Sequence, residues 1–110
     1  MIEGVLGNKT AEMVLLHIHH YGESHAAAIS NDLKLSQTAV RGQLNRFEKA
    51  GILTSKEIGR SRVYSFNPKS PFTKPVKELI SVAYESIPLY KREKLFKTRR
   101  RPRRKGKPVL

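Results

Sequence analysis

A helix with clear start and stop residues and two unlike faces most constrains what this chain can fold into. Ser36 precedes a periodic apolar run, and its hydroxyl can accept a hydrogen bond from the free amides of a first turn, so the helix is predicted to begin at about Gln37. Gly51 ends it, because glycine tolerates the left-handed backbone of a C-terminal turn. The apolar residues recur at helical spacing and so share one stripe that faces a core. The stripe consists of Val40, Leu44 and Phe47.

The opposite face of this helix is polar and carries side chains that can bind base edges. Arginine can donate two hydrogen bonds to guanine O6 and N7, and glutamine and asparagine suit adenine N6 and N7. A solvated helix face is the alternative interpretation of the same residues. Gly42 can permit close approach to DNA or be a tolerated weakness, since a mid-helix glycine costs about 1 kcal/mol relative to alanine. The polar face comprises Gln37, Thr38, Arg41, Gly42, Asn45, Arg46 and Lys49.

A basic hairpin is predicted directly after this helix. Two strand-like runs, residues 52–57 and 62–66, flank the turn sequence Ile58-Gly59-Arg60-Ser61. The basic residues of the hairpin would meet phosphates or enter a minor groove if the helix lies in the adjacent major groove. A charged turn can also be no more than a soluble turn. These basic residues are Lys56, Arg60 and Arg62.

Two further helices are predicted before the polar-faced helix. The first spans Thr10 to Tyr21, with Gly22 as its stop, and the second spans His25 to Leu33. The short link Lys34-Leu35 gives the turn expected between the two helices of a helix-turn-helix motif. The apolar stripe of the first helix consists of Ala11, Val14, Leu15 and Ile18.

The runs LSQTAVRGQLNRFEKAGIL and IGRSRVYSF resemble the ArsR and MarR groups of bacterial winged-helix regulators, over about residues 9–68. In those groups Leu-Ser-Gln opens the recognition helix and Ala-Gly-Leu/Ile closes it. The resemblance implies a mainly α fold with a small β-hairpin wing, a winged helix-turn-helix. The chain departs from the ArsR arsenic and cadmium sensors because it has no cysteine, so their thiolate metal site is missing. By position, the resemblance implies DNA contacts from Ser36, Gln37, Thr38, Arg41 and Asn45, with Arg60 and Arg62 acting from the wing.

A fourth helix is predicted after the hairpin, beginning near Thr73, whose hydroxyl can cap it, and ending at Pro88. Its apolar stripe can pack on the first helix of its own chain or pair with the same helix of a second chain, and the dimer is favoured. Residues 89–96 would form a last short helix. The predicted dimer contacts are Met13, Leu16, Val76, Leu79, Ile80, Ala83 and Ile87, together with Tyr84.

The positive charge is concentrated at the C-terminal end of the chain. The net charge is +13, and residues 91–110 hold 11 Lys and Arg against one acidic residue. Residues 97–110 are predicted to be a disordered basic tail that binds a nucleic-acid backbone and adds affinity more than sequence preference. The alternatives are a solubilising extension, an acidic membrane surface, or RNA. The tail arginines are Arg99, Arg100, Arg101, Arg103 and Arg104.

Four histidines form the other set of side chains that could carry chemistry. His17, His19 and His20 lie on the first helix and His25 lies just beyond it, with Glu23 as the one nearby carboxylate. Zinc could use such a set, but surface or interface histidines are favoured, so no metal or cofactor is predicted.

The sequence predicts a sequence-specific, double-stranded DNA-binding transcriptional regulator, a homodimeric repressor in preference to an activator. The alternative is a nonspecific nucleoid, replication or RNA-associated architectural protein. The chain lacks a Gly-rich phosphate loop and a nucleophile elbow, so an enzyme is not expected. It also lacks a long apolar run, so a membrane protein is not expected. The predicted location is cytoplasmic and nucleoid-associated. The predicted organisation is an N-terminal arm (1–8), the DNA-binding domain (9–68), a helical extension for dimerisation (69–96) and the basic tail (97–110).

Overall fold

The computed structural model describes residues 1–96, so the predicted basic tail lies outside the described residues. Nine elements follow one another along this part of the chain. They are α1 (Glu3–Leu6), α2 (Lys9–Tyr21), β1 (Glu23–Ser24), α3 (Ala26–Leu33), α4 (Gln37–Lys49), β2 (Leu53–Ile58), β3 (Ser61–Phe66), α5 (Thr73–Ser86) and α6 (Leu89–Leu95). No helix among these residues is long and apolar enough to cross a membrane.

The strands form one antiparallel sheet in the order β1-β3-β2. Strands β2 and β3 make the predicted hairpin, in register from Leu53 opposite Phe66 to Ile58 opposite Ser61. Gly59 has φ 62° at the first position of the two-residue turn, where a type II′ turn requires a positive φ. The short strand β1 was not predicted; it pairs with β3 at Ser65 and Tyr64 and anchors the hairpin to the helices.

One apolar core joins the helices to the base of the hairpin. Helix α2 is buried along most of its length, and α3, α4 and α5 pack around it. The predicted stripes of α2 and α4 are confirmed as core, because all of their residues are buried. The core also takes Ile29 from α3, Leu53 and Tyr64 from the hairpin, and Phe96 after α6.

The stripe of α5 packs inside its own chain, which differs from the favoured dimer pairing. Leu16, Ile80, Ala83 and Ile87 are all buried in the single chain, so they are unavailable for the predicted dimer contact. Helix α5 lies against α2, which corresponds to the first predicted helix, because the apolar faces of α5 and α2 complete the same core. Met13, Val76, Leu79 and Tyr84 are half-buried.

The N-terminal segment and the start of α5 both differ from what the sequence predicted. Residues 1–8, predicted to be an arm, include α1, whose Leu6 enters the core, and the amino group of Met1 lies 3.3 Å from the buried carboxylate of Glu12. Thr73 does not cap α5: Phe72 is the capping position, and the buried Thr73 hydroxyl has no hydrogen-bond partner among the described residues. The Ser70 hydroxyl instead accepts from the Phe72 amide.

Candidate nucleic-acid interface

Helix α4 is fixed by its first residue and by its buried stripe. The Ser36 hydroxyl accepts a hydrogen bond from the Ala39 amide at 3.3 Å, as the sequence predicted for an N-cap. Lys34 turns the chain between α3 and α4 in the left-handed conformation, with φ 57°. The Ser30 hydroxyl donates to the Leu35 carbonyl across this turn at 2.5 Å. The turn and the stripe together leave the polar face of α4 directed outward.

A cleft of about 540 Å³ lies between the polar face of α4 and the hairpin. The structure thereby brings together residues that the sequence predicted on two separate elements. Its floor includes the half-buried N-terminal part of α3, and two carboxylates lie among the basic groups. The polar and charged lining residues are His25, Gln37, Arg41, Asn45, Glu48, Glu57, Arg60, Ser61 and Arg62.

Two of the cleft arginines are free to bind a ligand. Arg41 on α4 and Arg60 at the hairpin tip are exposed, and neither has a hydrogen bond or ion pair within residues 1–96. Asn45, one helical turn after Arg41, is also exposed and unpaired in this part of the chain. The planar guanidinium group of arginine holds its N–H donors in a fixed fork. When none of these donors is used within the protein, they can form paired hydrogen bonds with a phosphate or with the edge of a guanine.

The other predicted arginines are engaged within the chain. Arg46 donates to the Leu6 carbonyl at 2.6 Å and to the Gln43 side chain at 3.0 Å, and its guanidinium carbon lies 4.7 Å from the centre of the Phe47 ring. It therefore holds α1 against α4, which differs from the DNA contact predicted for it. Arg62 donates to the Ser55 hydroxyl at 3.0 Å and lies 3.4 Å from the Glu57 carboxylate.

Four further predicted residues lie outside the cleft. Lys56 is opposite Val63 in the register, on the face of the hairpin opposite to that of Ser55 and Arg62. Ser36, Thr38 and Gly42 are exposed on α4 but do not line the cleft. The five tail arginines lie outside the described residues.

The fold is shared with solved structures, whereas no protein-family model and no curated protein matches the sequence. AntR, described as an antimony-specific transcriptional repressor, is 23% identical with TM-score 0.58, over 76% of this chain and 74% of its own. Lactococcus lactis ZitR is 21% identical with TM-score 0.58, over 71% of this chain and 53% of its own. HlyU from Vibrio cholerae is 20% identical with TM-score 0.58, over 76% of this chain and 84% of its own. The fold is a winged helix.

The winged-helix fold predicted from the resemblance is thus confirmed, with α4 at the position of the recognition helix and the β2–β3 hairpin as the wing. At these identities the similarity concerns the fold, and this chain spans about half the length of ZitR. Residues 36–66, which contain both elements, carry six Lys and Arg against two Glu. Of these, the cleft is lined by three arginines and both glutamates, a formal net charge of +1.

Tyr64 forms part of the cleft wall and stays neutral. Burial raises the pKa of its phenol, and the nearby Glu48 carboxylate raises it further. A neutral phenol adds no negative charge to the cleft between recognition helix and wing.

The histidines lie away from this cleft, with the exception of His25, and are structural. His17 is buried and its Nε2 lies 2.8 Å from the Asp32 carboxylate, so the prediction of surface or interface histidines is wrong for it. The His25 ring caps α3 by accepting from the Ala28 amide. His20 contacts the Tyr84 hydroxyl at 2.7 Å and stacks on Phe96. Among residues 1–96, no group of three or more His, Cys, Asp or Glu side chains is placed to hold a metal ion.

Proposed function

We propose that this protein is a sequence-specific, double-stranded DNA-binding transcriptional regulator. One observation carries the proposal: the unpartnered Arg41 and Asn45 of the recognition helix share one cleft with the unpartnered Arg60 of the wing. Helix residues of these types bind base edges in the major groove, and a wing arginine binds the phosphates beside it. A repressor role is proposed by analogy with AntR, which is described as a transcriptional repressor.

We also propose a second copy of the chain as the protein partner, because apolar side chains remain exposed or half-buried on α5 and α6. The predicted contacts that remain partly accessible are Met13, Val76, Leu79 and Tyr84, which are half-buried. The outer surfaces of α5 and α6 add large exposed apolar residues that were not predicted as dimer contacts from the sequence. These are Val82, Leu89 and Tyr90, each more than 60% exposed. A symmetric dimer would bind half-sites about 34 Å apart.

Selection of duplexes from a random library tests the proposal. Full-length protein and a version ending at Phe96 are compared at about 150 mM salt, a concentration that weakens nonspecific phosphate binding. A two-fold symmetric motif shared by both proteins is the expected result. No motif, with binding lost on truncation, would favour the nonspecific architectural alternative, which is supported by the 11 Lys and Arg among residues 91–110.

Arg41→Ala tests the recognition helix directly. The variant is expected to lose about 1–3 kcal/mol of binding free energy on the selected site and to relax preference at one base pair. Lys69→Ala is the matched control, because it removes one exposed positive charge between β3 and α5, outside the cleft and outside the proposed dimer surface. Equal losses in the two variants would show that Arg41 contributes charge alone and would contradict direct base readout.

A further inference from the structure

The wing is joined to the recognition helix by a chain of polar contacts that the sequence analysis did not single out. The Ser55 hydroxyl donates to the Glu48 carboxylate at 2.6 Å and accepts from the Arg62 guanidinium at 3.0 Å. We refer to Glu48, Ser55 and Arg62 as the polar bridge. It connects the last turn of α4 with both strands of the hairpin.

The hydroxyl of Ser55 suits this central position because it has one proton to donate and lone pairs to accept with. The Arg62 guanidinium donates to the Ser55 hydroxyl, and the Ser55 hydroxyl donates to the Glu48 carboxylate. Both hydrogen bonds therefore run in the same direction, from the cation to the anion. Hydrogen bonds with charged partners are roughly twice as strong as neutral ones, and linked hydrogen bonds polarise one another. The hydrogen bond between Glu48 and Ser55 is also part-buried, which limits screening by solvent.

The polar bridge lies at the position where the hydrophobic attachment of the hairpin ends. Ile52 and Leu53, at the base of the hairpin, are buried, but residues 56–60 are all exposed. The hydrogen bond between Ser55 and Glu48 is the outermost one between the hairpin and α4 in the described part of the chain. Beyond this contact, the outer part of the hairpin has no hydrogen bond to α4 in the described part of the chain.

We propose that the polar bridge positions the wing, so that Arg60 reaches a phosphate while Arg41 lies in the major groove. This inference rests on the proposed DNA-binding function and deepens it. Arg62 is then a positioning residue, which differs from the phosphate contact that the sequence predicted for it. The same guanidinium also forms an ion pair with Glu57. Because the Glu57 side chain is 72% exposed, this ion pair is weak by itself.

A double-mutant cycle between Ser55→Ala and Arg60→Ala tests the inference, measured as the dissociation constant for the selected DNA site. One phosphate contact contributes a salt slope of about 0.9, which corresponds to about fivefold in affinity between about 1 M and 150 mM salt. Arg60→Ala is therefore expected to weaken binding about fivefold in the wild-type background and less than about twofold in the Ser55→Ala background. The salt slope should fall by about 1 in either single variant.

Two matched controls separate positioning from a general loss of structure. Thr54→Ala removes a neighbouring exposed hydroxyl that has no hydrogen bond within residues 1–96, and Arg60→Ala should keep its full effect in that background. Glu48→Gln keeps an oxygen that can accept from Ser55 and should retain the coupling, whereas Glu48→Ala should lose it. If Ser55→Ala does not fold, the two Glu48 variants carry the same test.

The outcomes distinguish this inference from the proposed function. If Arg60→Ala weakens binding equally in the wild-type and Ser55→Ala backgrounds, the polar bridge does not position the wing and the inference is overturned, while DNA binding stands. If Arg60→Ala has no effect in the wild type, there is no wing contact to position and the inference is also overturned. The proposed function fails separately, if no duplex motif is selected and Arg41→Ala matches Lys69→Ala.

Discussion

Replacing Phe96 by alanine tests whether one buried ring holds the C-terminal helix on the domain. The Phe96 ring is fully buried although none of the residues of α6 itself is. It stacks on His20 with ring centres 4.9 Å apart and planes 19° apart, and it meets His17 edge-on at 6.1 Å. Tyr84 completes the surroundings, with its ring centre 6.0 Å away.

The magnitude follows from the area that the ring removes from water. A buried phenylalanine removes about 150–250 Å² from water, which at about 25 cal/mol per Å² is worth about 4–6 kcal/mol. Measured Phe→Ala costs in cores are about 3–5 kcal/mol. We expect about 3 kcal/mol in the free energy of unfolding, the lower end, because the short helix α6 can shift toward the space that the ring leaves.

Urea unfolding measures the stability loss, and an NMR titration of His20 measures its local cause. Burial lowers the pKa of His20 below 6.5, so loss of the stacked ring should move it back toward that value. Phe72→Ala is the control, because Phe72 is a 67% exposed ring that lies outside α6 and outside the proposed dimer surface. An unchanged free energy of unfolding and an unchanged His20 pKa in Phe96→Ala would refute the proposed packing role.

Two further predictions concern the histidines and Gly42. Burial lowers the pKa values of His17, His19 and His20 below 6.5, so the folded state binds fewer protons than the unfolded state. The free energy of unfolding should therefore be full above about pH 6.5 and decline as the pH falls below it; a flat urea-unfolding profile from pH 7.5 to 5 would contradict this. Gly42→Ala should stabilise the protein by about 1 kcal/mol in thermal unfolding, because the added methyl has nothing within 4 Å. If DNA affinity falls in the same variant, Gly42 serves close approach to DNA.

The functional elements could be predicted from the sequence because their signals are local. The N-cap at Ser36, the apolar stripe of the recognition helix and the glycine turn of the wing each depend on residues a few positions apart. Such spacing fixes which faces of a helix or strand are apolar. The polar face with Arg41 and Asn45, and the basic wing tip with Arg60, follow from the same patterns.

The partners of side chains could not be predicted, because they come from elements far apart in the sequence. Arg46 and the carbonyl of Leu6 are 40 positions apart, and the periodicity that marks Arg46 as part of a polar face says nothing of α1. Periodicity likewise marks Ile80 and Ala83 as buried without saying whether α2 or a second chain covers them. The two-residue strand β1 is stabilised only by its pairing with β3, and so it leaves no pattern of its own.

The sequence by itself therefore determined the winged-helix fold and the two basic elements that face DNA in the proposed function. Only the tertiary structure decided which charged groups remain free for a ligand. Arg41 and Arg60 have no partner within residues 1–96, whereas the guanidinium of Arg62 is held by Ser55 and Glu57. The physical reason is that the type of a side chain sets what it can bind, but its three-dimensional neighbours decide whether that capacity is already used.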